Sequence, residues 1–171
     1  MQPDLEYAIV AFVTLLSSKN RYLLSSLFRC AVRAVFGTSP QAETAPLMQQ
    51  LNTHPIEDRW LLHLLVFMYR CTHGLAAECL VNMFQLQKSR LNQCTTRGQV
   101  NGLLQVVRHN SKSGVNLLSH RLVLLWNGLP NDMQSCQSVI VFKSMLWSRL
   151  ISDANFCRQC KELLFMSVSN V

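Results

Sequence analysis

Pro55-Ile56-Glu57-Asp58-Arg59-Trp60-Leu61-Leu62-His63-Leu64-Leu65-Val66-Phe67-Met68-Tyr69-Arg70-Cys71 is the stretch on which the fold turns. A first-turn proline forfeits no hydrogen bond, so a helix is expected to begin near Pro55, with Thr53 placed to cap it. Glu57 and Asp58 then lie at the positive end of the helix dipole, where carboxylates are stabilised. Ile56, Trp60, Leu61, Leu64, Leu65, Phe67, Met68 and Cys71 cover nearly the whole circumference. A helix apolar almost all round belongs in the middle of a bundle. His73-Gly74 ends it, and a further helix is expected from Leu75 to Leu86.

Towards the N-terminus, Leu5 to Leu16 reads as a short buried helix, broken by the polar run Ser17 to Arg21. Beyond the break, Leu23/Leu24, Leu27/Phe28, Ala31/Val32 and Val35/Phe36 recur every four residues, an amphipathic helix with Arg29 and Arg33 on its other face. Gly37 supplies a left-handed C-cap and Thr38-Ser39-Pro40 prevents continuation. One helical turn is expected around Pro46 to Gln50.

Towards the C-terminus the character changes. Ser89 to Asn116 is polar, basic and interrupted by Gly98, Gly102 and Gly114. Leu103 to Val107 and the apolar stretch after Gly114 pair as a short hairpin or form a loop, and Leu122 to Trp126 suits either a strand or a buried helix. Asn127-Gly128-Leu129-Pro130-Asn131-Asp132 is a turn by composition. Ser138 caps a last clear helix with Val139, Phe142, Leu146 and Leu150 on one face. The expected fold is therefore mainly α: a helical bundle over residues 1–151 with a basic loop or short β-hairpin insertion around 95–125, and a less regular tail over 152–171.

With 171 residues, 49% of them hydrophobic, there is apolar material for a real core. Only 15% are charged, below the usual quarter, which points to a piece of something larger or to a degenerate reading frame. The net charge of +7 is unevenly spread. Between Tyr7 and Ala42 there are four basic residues and no acid. Between Cys79 and Asn131, a window of 53 residues, the chain carries Lys88, Arg90, Arg97, Arg108, Lys112 and Arg121, again with no acid. Such a one-sided field attracts phosphate, although a solvated basic surface has the same composition.

Seven cysteines at irregular spacing, behind an acidic N-terminus where a signal peptide needs basic residues, suit reduced thiols inside a cell, nuclear or cytoplasmic. The apolar runs Ala8 to Leu16 and Trp60 to Tyr69 fall short of the roughly 20 residues that span a bilayer, so no membrane is expected. Cys157-Arg158-Gln159-Cys160 has metal-ligand spacing but no second pair to complete four ligands. Cys71 and His73 point about 200° apart on a helix and do not form a nucleophile–base pair. Neither a metal nor a cofactor is expected. Trp60, Trp126 and Trp147 read as core anchors, with Trp126 beside Arg121 also able to stack a base.

Cys30 to Gly37, then Leu51-Asn52-Thr53-His54-Pro55-Ile56-Glu57-Asp58-Arg59, then Leu65 to Ala76 resemble the region after the polymerase core in LINE-type (non-LTR, jockey-like) retrotransposon reverse transcriptases. Thr96-Arg97-Gly98, Leu125-Trp126-Asn127-Gly128-Leu129-Pro130 and Phe142-Lys143-Ser144 follow in that family's order, so the resemblance covers roughly residues 25 to 151. Ala77 and Cys79 depart from it, standing where such elements carry Pro and an aromatic, and the basic run near Arg97 is thinned.

The resemblance implies a thumb-like helical segment that holds nucleic acid for an RNA-directed DNA polymerase. That family polymerises in a palm domain with a Tyr-x-Asp-Asp turn, whose carboxylates gather two metal ions. Tyr7, Tyr22 and Tyr69 are followed by nothing of the kind, and Asp4, Asp58, Asp132 and Asp153 are scattered. The expectation is a non-catalytic remnant, not an enzyme, contacting RNA or DNA backbone through Lys88, Arg90, Arg97, Arg108, Lys112 and Arg121. A helical protein-interaction module binding a partner on exposed apolar faces is the alternative, as is an open reading frame without function.

Overall fold

Helices follow one another as α1 (Ser18–Val35), α2 (Ala45–Gln50), α3 (Ile56–Thr72), α4 (Glu78–Ser89), α5 (Leu118–Asn127), α6 (Asn131–Gln134), α7 (Val139–Ser152) and α8 (Ala154–Phe165). The computed structural model describes residues 13–89, 104, 106 and 118–165, and among them there is no strand. The chain is mainly helical, as its periodicity predicts.

α3 lies at the centre, packed against α1, α4, α5, α7 and α8. Ile56, Trp60, Leu61, Leu64, Leu65, Met68, Tyr69 and Cys71 are all essentially inaccessible to solvent. Each buried Leu or Met side chain contributes about 1.5–3 kcal/mol relative to exposure, so this one element dominates the core. Its N-terminus differs from expectation in one detail. Pro55 is itself the cap residue, and Thr53 makes no capping bond; its hydroxyl instead accepts from Arg59 Nη1 at 3.4 Å. Glu57 and Asp58 occupy the first turn as predicted.

α1 and α3 end in the same way. Gly37 (φ 58°) and Gly74 (φ 71°) take the left-handed conformation, and the next residue's N–H reaches back, Thr38 to Arg33 O and Leu75 to Arg70 O. Asn52 (φ 49°) does the same for α2, with Thr53 N–H on Met48 O. Asparagine tolerates this conformation better than most side chains.

α1 begins earlier than its apolar repeat suggests, inside the polar run. Ser17 Oγ accepts from Asn20 N–H at 3.2 Å, so what reads as a break is an N-cap. The helix buries only Ser25 and Val32, with Leu24 and Phe28 packed beside them. Leu23, Leu27 and Val35, the other halves of the repeating pairs, face out at 48%, 60% and 68% exposure. Arg29 and Arg33 are not opposite the core: Arg29 Nη1 donates to the buried Ser25 Oγ and Arg33 Nε to Ala42 O. The helix lies at the edge of the bundle, where only one side finds neighbours.

At the other end, Leu122 to Trp126 is helix, within α5, and Leu122, Val123, Leu125 and Trp126 are buried. α7 runs from its Ser138 cap with Phe142, Leu146 and Leu150 buried, as predicted. Residues 154–165, placed by expectation in a less regular tail, form α8, which buries Phe156, Cys160 and Leu164 against α3, α5 and α7. A single residue joins the two helices. Asp153 closes α7 and caps α8, its Oδ1 accepting from Phe156 N–H at 3.0 Å. Of the basic loop or hairpin expected around 95–125, residues 118–125 are instead helix, the apolar start of α5, and Leu104 and Val106 are in no strand. The rest of it, like most of the helix expected over 5–16, lies outside the described residues, apart from a 3-10 turn at Val13–Leu15.

Candidate functional site

The six basic residues singled out for backbone contact fall into two groups. Arg90, Arg97, Arg108 and Lys112 lie outside the described residues, as does the side chain of Lys88 at the end of α4. Arg121 is described, and it departs from the expectation. It is 5% exposed, and Nη1 donates to Leu164 O at 2.7 Å and Leu163 O at 3.3 Å. A phosphate cannot reach it in this arrangement.

The reason is the end of α8. The last carbonyls of a helix have no intrahelical partners and carry partial negative charge. Arg121 takes two of them from α5, and Arg21 of α1 takes the next, its Nη1 and Nη2 lying 3.4 and 3.5 Å from Phe165 O. Arg21 also lies 4.4 Å over the Phe165 ring. Burial lowers the pKa of both guanidiniums, and the charge of Arg21 lowers that of Arg121 further. Two residues counted as surface charge in the sequence thus tie α1 and α5 to α8. No local signal in the sequence marks this role, because the carbonyls involved lie more than 40 residues away from Arg121.

A second polar link joins the start of α3 to α8. Asp58 Oδ1 meets Lys161 Nζ at 2.5 Å, and Cys157 Sγ donates to the same oxygen at 3.4 Å. Burial pulls the Lys161 ammonium down, but its hydrogen bond to Asp58 and that carboxylate's charge more than reverse this, leaving its pKa raised. Burial and the Asp58 charge both push the Cys157 thiol up. Cys160, one turn on, is buried and pushed up to about 12 by burial and by its neighbour Cys157. Thiols that hold their protons are poor nucleophiles and poor metal ligands. Among the described residues no three His, Cys, Asp or Glu side chains converge as metal ligands.

Several aromatic side chains stack together in the core. Phe142 stacks on Tyr69 at 4.7 Å between centroids, and the His73 ring stacks on Tyr69 at 3.9 Å. Tyr69 Oη donates to Cys136 O at 2.7 Å. Trp126, 3% exposed, lies 6.0 Å from Phe142 and is a core anchor, not a platform for a base. Cys71 is wholly buried, and His73 Nδ1 lies 3.0 Å from Tyr69 O, so the two share no chemistry. Asn127 clamps the backbone of Leu104 at two points, accepting its N–H at 2.9 Å and donating to its carbonyl at 2.7 Å. Gln134 Nε2 ties the following turn back to Trp126 O and Leu129 O. His54 meets Trp147 edge-on at 4.1 Å, linking the loop before α3 to α7.

One cavity of about 490 Å³ opens between α1, α2 and the start of α3. Phe28, Met48 and Ile56 line its apolar side, and Arg29, His54 and Glu57 its polar side. Opposite charges on one rim give it no preference for an anion or a cation. Among the described residues no helix is long and apolar enough to cross a membrane. No protein-family model, curated protein or solved structure matches the chain.

Proposed function

We propose that the chain is a non-catalytic helical segment of LINE-type reverse-transcriptase ancestry that holds RNA or DNA by its backbone, with no reaction of its own. The observation that carries this reading is the distribution of charge. With Arg121 turned inward onto α8, the remaining five basic residues, Lys88, Arg90, Arg97, Arg108 and Lys112, fall in 25 consecutive residues without an acid. That stretch connects two helices, α4 and α5, whose Phe84, Leu122 and Leu125 are anchored in the core. A positive segment carried on a rigid support gives salt-dependent and largely sequence-independent binding. The ancestry draws its support from the order of the quoted motifs along the sequence, from Cys30 to Ser144.

The test is a mobility shift of the full chain on single-stranded RNA and DNA as salt is raised. Replacing Arg97, Arg108 and Lys112 by Ala removes up to three phosphate contacts, which flattens the slope of log K against log salt by about 2. Arg121→Ala should instead lower thermal stability and leave the slope of the remaining folded protein unchanged. Absence of any shift at low salt ends the reading. A protein-interaction role has its own support in the apolar residues that α1 turns to solvent.

A further inference from the structure

We propose that the outer face of α1 docks an acidic amphipathic helix of a partner protein. Leu23, Leu27, Cys30 and Ala34 are all exposed and follow one another at spacings of four, three and four residues. That is the spacing of the core positions of a two-helix coiled coil, and it sets the four side chains along one line of the helix. The line runs about 17 Å. It lies on the side of α1 away from Leu24, Phe28 and Val32, which face the bundle. Asn20, three residues before Leu23, falls at the same heptad position as Leu27 and Ala34, where a lone polar residue fixes register. The side chains shrink from leucine to cysteine and alanine along the line, so a second helix can approach most closely at the Ala34 end.

Charge chooses the occupant. One flank of the line carries Lys19 and Arg33, at the flanking position where coiled coils select their partners. Beyond them Arg29 lies 6.0 Å over the exposed ring of Tyr22. Arg33 spends its Nε on Ala42 O, which holds the charge on that flank. No acid occurs anywhere in α1, nor between Tyr7 and Ala42. Two copies packed antiparallel through α1 would set Lys19 against Arg33, and packed parallel would set both against the flank of Leu24 and Ala31, with no charge to meet them. A helix with glutamates along its facing edge would instead complement them. The inference uses residues 19–34 and stands apart from the nucleic-acid reading, which uses 88–112.

Two synthetic helical peptides a few heptads long serve as probes, both with leucine at the core positions, one with glutamate and one with lysine at the flanks. Each is added to the full chain, and alkylation of Cys30 is followed by mass spectrometry, with Cys79, exposed on α4, as the internal control. The acidic peptide is expected to slow alkylation of Cys30 about tenfold and leave Cys79 unchanged, with the basic peptide at least about tenfold weaker. Leu23→Glu with Leu27→Glu should abolish the protection while keeping the thermal transition and any oligonucleotide shift, since both side chains already face solvent. Lys19→Glu alone, which leaves the apolar line intact, should narrow the preference between the two peptides. Equal protection by both peptides, protection by neither, protection that survives the double change, or self-association of the chain through this face would each overturn the proposal.

Discussion

α1 and α3 are nearly the same length, 18 and 17 residues, yet α3 buries nine of its residues and α1 two. Both are rich in leucine, and both end in the same glycine-based cap. What separates them is how their apolar residues are distributed and how many neighbours surround them. In α3 the apolar side chains point in every direction, so only a position with helices on all sides satisfies them. In α1 the apolar residues form two lines, Leu24-Phe28-Val32 and Leu23-Leu27-Cys30-Ala34, and only the first has anything to pack against. Apolar content therefore measures what a helix is able to bury, while the count of surrounding elements decides what it does bury.

The contrast can be broken most directly by truncation. Leu64→Ala in α3 should cost about 3 kcal/mol in chemical denaturation, as large-to-small changes at sealed sites do. A loss under about 1 kcal/mol would mean that α3 is not the packing centre. Next in size is the attachment of α1 and α5 to α8. Arg121→Met leaves the Leu163 and Leu164 carbonyls without that donor, and a destabilisation of about 2 kcal/mol is expected. Arg21→Met should cost less, because Arg21 is the more exposed of the two. The double variant should lose more than the sum of the single losses, because each single change also relieves the repulsion between the two guanidiniums.

Alkaline pH offers a third measure. Burial pushes the Cys71 thiol in α3 up to about 11 from its ordinary 9.0. Between those values the unfolded chain gives up a proton that the folded chain keeps, so stability falls as pH rises above 9. The loss from this group between pH 9 and 11 is about 2 kcal/mol. Denaturation midpoints of Cys71→Ala should accordingly decline less steeply over that range than those of the native chain. The smallest effect belongs to the outer line of α1. Leu27→Ser should change stability by less than about 0.5 kcal/mol, and a larger loss would mean that the face is covered.

Some of the site was legible in advance and some was not. Trp126 and Trp60 could be read as core anchors because large apolar side chains inside periodic runs have few other uses. Arg121 could not be read: its partners are the Leu163 and Leu164 carbonyls, and backbone groups carry no sequence signature. Asp153 looked like a stray carboxylate, yet its place immediately before an apolar-periodic segment, Phe156-Cys160-Leu164, is a recognisable cap signal for α8. The link from Asp58 to Lys161 spans about a hundred residues and depends on how α3 and α8 come together.

The sequence by itself marked α1, α3 and α7 and showed where α1 and α3 stop, because periodicity, caps and left-handed glycines act over a few residues. It also determined that α3 would be central, since an all-round apolar helix has no other stable position in water. Tertiary structure alone decided which line of α1 faces the core, that residues 154–165 complete that core, and that Arg21 and Arg121 turn inward. These outcomes depend on which surfaces meet, and a polar or apolar side chain takes its role from the surface it meets.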